Sequence, residues 1–206
     1  MCSDRLGHLP EHIIHHILSF RDTKSVVQTS VLLRAWRSAW KHVANIDLRS
    51  DSFEEYPSFR TFVSQVLSLR YKLNVQKLSY IDCGPLFCWG DERIFKISGP
   101  QLLSLKILDN LLNTKVEISA PKLEFFSFWN VLEIHELSKL SVPSLVLHAD
   151  IKFASNELSA TIIEWPTLIV IALFKGLSNA TSLVLDSFSI QVICSLTLLQ
   201  YRWLSS

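Results

Sequence analysis

The sequence predicts an α+β chain: a small helical head at the N-terminus, followed by an α/β solenoid of short strand-bearing repeats. Three observations lead there. Apolar residues recur at helical spacing from Pro10 to Leu18. Further on, four leucine-rich strings each follow a proline, and those prolines stand at near-equal intervals. Finally, 49% hydrophobic against 19% charged residues supplies enough apolar surface for a packed core. The 206 residues suit a head over 1–48 and a body over 49–206.

The head begins with "LPEHIIHHILSF", Leu9 to Phe20. Pro10 fits a first helical turn, where its missing N–H costs nothing. Pro10, Ile13, Ile14, Ile17 and Leu18 then form one apolar stripe. Glu11, His12, His15, His16 and Ser19 occupy the rest of the surface. The helix has about three turns, too few to persist alone in water, so it must pack on something. In "RDTKSVVQTS", Asp22 or Thr23 can cap a second helix through Val26 and Val27. "VLLRAWRSAW" reads as a third helix, with Leu33, Trp36 and Trp40 on one face and Arg34, Arg37 and Lys41 beside it. A head this small cannot bury every apolar group it carries, so some are left for a partner.

The body carries "GPQLLSLKIL" at Pro100, "APKLEFFSFW" at Pro121, "VPSLVLHADI" at Pro143 and "WPTLIVIALF" at Pro166. Successive prolines lie 21, 22 and 23 residues apart. That period falls within the leucine-rich-repeat range. Alternating leucines predict a short strand in each string, with proline before it. "TSLVLDSFSI" adds a strand without proline, and "KLSYIDC" is an earlier candidate. Four to six irregular repeats result. No such strand buries its apolar side alone; stacking into a curved solenoid buries them together and leaves an extended binding surface.

Several function classes find no support. The net charge of +1 gives no general reason to expect nucleic-acid binding, although the head leans basic through Arg21, Lys24, Arg34, Arg37 and Lys41. The first twelve residues hold no apolar signal region. The longest apolar run, Ile162 to Phe174, contains Glu164 and Pro166 and is too short to span a bilayer. Cys2, Cys83, Cys88 and Cys194 form no disulfide framework, which suits reduced thiols in the nucleus or cytoplasm. Cys83 and Cys88 read as one buried thiol and one loop thiol.

His12 and His16 have the i, i+4 spacing of two metal ligands, but zinc needs three or four, and His8, His42, His135 and His148 are scattered. No GxSxG, Walker A or GxGxxG is present. The expectation is therefore no enzyme, no metal and no cofactor. The histidines read as the wet side of an apolar helix. Trp129 and Trp165 read as repeat core.

"LPEHIIHHILSFRDTKSVVQTSVLLRAWRSAWKHV" resembles an F-box of the kind found in plant F-box/leucine-rich-repeat proteins of the FBD/LRR type. The resemblance rests on Leu9-Pro10, Ile17-Leu18-Ser19-Phe20, Thr23-Lys24, Thr29-Ser30-Val31-Leu32 and Trp36-Arg37-x-x-Trp40. "VEISAPKL" and "GLSNATSLVLDSFSIQVI" are similar to repeats of the same family. Arg21-Asp22 stands where the family has Leu-Pro, and Leu33-Arg34-Ala35 where it has a serine and two basic residues. The chain is also short at its C-terminus by the family pattern, stopping at "SLTLLQYRWLSS" without a polar cap.

The resemblance implies a substrate-recognition adaptor of an SCF-type (Skp–cullin–F-box) ubiquitin ligase. It implies docking on a Skp-family adaptor through Leu9, Pro10, Ile13, Ile14, Ile17 and Leu18, supported by Val26, Val27, Leu32 and Trp36. A cullin scaffold follows through the adaptor, and the repeats would hold an unknown substrate protein, with no nucleic-acid or membrane partner. The alternative is a leucine-rich-repeat interaction scaffold that works without any ligase.

Overall fold

A computed structural model describes residues 9–32, 36–70, 75–83, 93–109, 114–131, 146–154, 177–187, 189–190 and 194. Its elements run α1 (Glu11–Leu18), α2 (Thr23–Leu32), a 3-10 helix (Ala39–His42), β1 (Asn45–Arg49), a 3-10 turn (Ser50–Ser52) and α3 (Tyr56–Arg70). There follow β2 (Lys77–Asp82), β3 (Arg93–Ser98), β4 (Ser104–Asp109), β5 (Thr114–Ser119), β6 (Phe125–Val131), β7 (His148–Ala154) and β8 (Ser182–Leu185). The fold is α+β. Six strands form one all-parallel sheet in the order β1-β2-β4-β6-β7-β8, while β3 and β5 pair in a second parallel sheet.

Asp22 settles which residue caps α2. Its carboxylate accepts the Ser25 N–H at 2.9 Å and the Ser25 hydroxyl at 2.6 Å. Val31 and Leu32 finish this helix rather than opening a third. Leu33, Arg34 and Ala35 lie outside the described residues, and the described remainder of the expected third helix is the short 3-10 helix. Trp40 is buried within that 3-10 helix, and Trp36, which precedes it, is buried in the same core.

The sheet is built by two columns of side chains in register. Ile46, Leu78, Leu105, Phe126 and Ala149 form the first, and Leu48, Tyr80, Ile107, Phe128 and Ile151 the second. All ten are buried and share one core with the head residues Ile14, Leu18, Val26, Trp36 and Trp40. The starts of β2, β4, β6, β7 and β8 repeat one hydrogen-bond pattern. Two successive amides donate to a single carbonyl of the previous strand's start: Gln76 and Lys77 to Ala44, Leu103 and Ser104 to Gln76. Glu124 and Phe125 then donate to Leu103, Leu147 and His148 to Glu124, and Thr181 and Ser182 to Leu147.

The prolines have a specific place in this pattern. The Leu102 N–H donates to the Gly99 carbonyl, and the Leu123 N–H to the Ala120 carbonyl, each at 3.1 Å. Pro100 and Pro121 therefore sit at the second position of a β-turn, where their fixed φ is favoured. Each turn carries the chain from a strand of the small sheet, β3 or β5, into a strand of the large one, β4 or β6. The same turn precedes β8 without proline, the Ala180 N–H reaching the Leu177 carbonyl at 2.9 Å. Pro143 and the string around Pro166 lie outside the described residues, as do Cys88 and the C-terminal segment 195–206.

Among the α-helices and strands, β1, β3, β5 and α3 were not expected. α3 packs by Phe59, Val63, Val66 and Arg70, at i, i+4, i+7 and i+11. The Arg70 guanidinium is buried and donates to the Val43 carbonyl, and burial draws its pKa down to about 10. At the other end of the helix, the Tyr56 hydroxyl donates to the buried Asp82 carboxylate at 2.7 Å, beside a 2.9 Å bond from Tyr80.

Candidate docking surfaces

Helix α1 starts on the Pro10 carbonyl, which accepts the Ile13 and Ile14 amides at 3.0 and 3.1 Å. It ends at Ser19, whose hydroxyl donates to the His16 carbonyl at 2.7 Å. The predicted stripe divides along its length. Ile14 and Leu18 are buried in the head core at 3% and 1% exposure, whereas Ile13 and Ile17 remain 36% and 41% exposed. Pro10 is exposed, Leu9 and Val27 are partly buried, and Val26 and Trp36 lie in the core. Leu32 ends α2.

Phe20 continues the exposed row at i, i+4 and i+7 from Ile13, and is 74% exposed. Val31, on α2, is also open to solvent. The sequence reading named neither as a site residue, although the i, i+3 step from Ile17 to Phe20 carries past the end of the helix.

His12 and His16 are exposed. The His16 ring meets Phe20 edge-on at 4.9 Å. His15 turns the other way, its Nε2 3.7 Å from the Glu11 carboxylate and its ring 5.9 Å from that of His42. Among the described residues no three His, Cys, Asp or Glu side chains gather in a metal-binding group. Cys83 is exposed rather than buried, since the chain leaves the sheet at Asp82. Partial burial, then the nearby Asp51 and Asp82, push its thiol pKa up.

The head is fastened to the sheet. The Thr23 hydroxyl accepts the Asp47 amide at 2.8 Å, the Lys24 ammonium donates to the Ser52 carbonyl, and that ammonium lies 4.1 Å over the Phe53 ring.

A second surface lies on the outer side of the large sheet. Alternation turns Phe125, Ser127 and Trp129 of β6 away from the core that holds Phe126 and Phe128. Trp129 is therefore 43% exposed, not repeat core as expected, and Phe125 is 48% exposed. The His148 ring stacks on Phe125 at 4.8 Å and 12°. Lys106 stands in register between Ser79 and Ser127. On β7, Lys152 pairs with Asp150 at 3.3 Å. Among the described residues no helix is long and apolar enough to cross a membrane.

No family model matches the chain, and no solved structure matches it. Curated relatives do. F-box/LRR-repeat protein 13 of Arabidopsis thaliana is 40% identical over 82 residues, covering 39% of this chain and 18% of the relative. An F-box protein from the same plant is 34% identical over 95 residues, covering 46% of this chain and 23% of the relative. An FBD-associated F-box protein is 46% identical over 69 residues, covering 32% and 17%. The similarity thus spans about a fifth of the length of these relatives. Several Arabidopsis F-box/LRR and F-box/FBD/LRR proteins are homologues of this chain over partial stretches.

Proposed function

We propose that this homologue of plant F-box/LRR proteins is the substrate-recognition subunit of an SCF-type ubiquitin ligase, working in the nucleus and/or cytoplasm. Residues 1–48 act as an F-box that docks on a Skp-family adaptor and, through it, on a cullin. Residues 49–206 stack as a leucine-rich-repeat solenoid and hold a target protein on the open face of the sheet. The chain does no chemistry of its own. It raises the local concentration of the target near the ubiquitin-charged enzyme and fixes its approach.

One observation carries this reading: α1 keeps Ile13 and Ile17 exposed, flanked by exposed Pro10 and Phe20 at its two ends, while Ile14 and Leu18 anchor it from behind. An exposed apolar row on a rigidly held helix has the form of a helix-face docking site. The relatives' F-box names add independent support.

Co-purification with a purified Skp-family adaptor tests it. The wild-type chain should capture the adaptor, and Leu9→Ala with Pro10→Ala should abolish capture. Undiminished binding by that double variant would remove the α1 face from the interface. A chain that binds a target but never the adaptor would be the ligase-independent scaffold.

A further inference from the structure

The outer face of the parallel sheet is chemically uneven. Parallel strands are ordinarily covered on both faces, so an open one marks a place where something else packs. Its apolar part is Phe125 and Trp129, two residues apart on β6, with Phe125 held in place by the His148 stack. Its charge lies on the neighbouring strand. Lys106 is exposed and paired in register with Ser127, the residue between the two rings. Neighbouring strands are about 4.8 Å apart, so Lys106 stands on the adjacent strand beside the gap between the two rings. Lys77 adds a second exposed cation on β2.

Neither Lys77 nor Lys106 has an ion-pair partner among the described residues, whereas Lys152 is occupied by Asp150. The carboxylates of this face, Asp47 on β1 and Asp150 on β7, share the register row of Lys106 and each lie two strands from it, with Ser79 and Ser127 between. Ser104 and Ser127 are short, so a polypeptide backbone can lie close to the sheet between the bulky side chains.

We propose that this patch docks an extended acidic segment of the target protein, a carboxylate meeting Lys106 and the adjacent apolar or aromatic side chains packing on Phe125 and Trp129. The proposal rests on the target-binding reading above and names the chemistry of what is bound. A surface spread over β2, β4, β6 and β7 suits an extended chain laid across the strands. The free cation supplies selectivity and the exposed rings supply contact area.

The test uses the purified full-length chain and a phage library of random peptides of about twelve residues, long enough to cross the four strands. Selected peptides should be enriched in Asp and Glu beside aromatic or large aliphatic residues. A synthetic copy of the consensus should bind Lys106→Glu about tenfold more weakly. It should bind Trp129→Ala at least about fivefold more weakly. Both variants should keep the wild-type melting temperature and the wild-type capture of adaptor.

Selection of basic or charge-neutral peptides would overturn the proposal, and so would equal affinity for wild type and Lys106→Glu. Failure of selection to enrich any sequence would do the same. Adaptor capture is read separately, so loss of capture with retained peptide binding defeats the F-box reading alone.

Discussion

The hydroxyl of Thr23 accepts the backbone amide of Asp47 at 2.8 Å, so a helix of the head closes the outward edge of the first strand of the sheet. Outward-facing amides of an edge strand are otherwise open to water or to another chain. Thr23 is buried, so removing its oxygen leaves a donor without a partner. Thr23→Val should destabilise the whole chain by about 1–3 kcal/mol, while Thr23→Ser stays close to wild type. Urea unfolding followed by circular dichroism measures both. Equal stability of the Val and Ser variants would show that the bond contributes nothing.

The division of α1 predicts two separable phenotypes. Ile14→Ala empties a core position and should cost about 2–5 kcal/mol. Ile13→Asp with Ile17→Asp changes exposed positions and should leave stability within about 0.5 kcal/mol. It should nevertheless abolish adaptor capture. Melting curves and co-purification on the same preparations separate the two effects.

The Asp22 cap carries a pH signature. Burial alone would raise its carboxyl pKa, but the hydrogen bonds from the Ser25 hydroxyl and amide outweigh that and leave it below the ordinary 3.8. A carboxyl depressed in the folded state stabilises the fold above its unfolded pKa and ceases to do so as pH falls through the folded value. Asp22→Ala should therefore cost about 1 kcal/mol at pH 7. The gap from wild type should shrink as pH drops below 3.8. Chemical unfolding across that range checks the sign.

Tyr56 and Tyr80 both donate to the Asp82 carboxylate, which is fully buried. Tyr56→Phe should cost about 1–3 kcal/mol and loosen α3 against the sheet. A double-mutant cycle with Asp82→Asn should give a coupling of about 0.5–3 kcal/mol. Additive losses would mean that the two side chains do not act together.

Much of this architecture was legible in the sequence because two periods carry it. The helical spacing of Pro10, Ile13, Ile14, Ile17 and Leu18 locates α1, and the proline interval locates β4 and β6. What stayed hidden follows from weak or saturated patterns. α3 buries Arg70 in its apolar row, which breaks the stripe a hydropathy reading looks for. β1 has only Ile46 and Leu48 as alternating apolar residues.

"FFSFW" fails for the opposite reason. Nearly every position is aromatic, so only pairing with β4 shows that Phe126 and Phe128 face inward and Trp129 outward. On α1, spacing gave one stripe, and packing against the head core was needed to divide it between Ile14 and Ile13. Asp22 and Thr23 were equal candidates for the cap until the geometry assigned Asp22 to the helix and Thr23 to the sheet.

The carbonyl shared by two amides at the starts of β2, β4, β6, β7 and β8 bears on how such a gene can change. Leu103 accepts from Glu124 and Phe125, and Glu124 accepts from Leu147 and His148, so each rung presents the next with the same acceptor. Duplicating or deleting the stretch between two equivalent rungs rejoins like with like and strands no backbone group. A shift of one residue instead turns every side chain of the strand to the wrong face. The number of rungs can thus vary by recombination at little structural cost, whereas their phase is held fixed, and the sheet can lengthen or shorten without being redesigned.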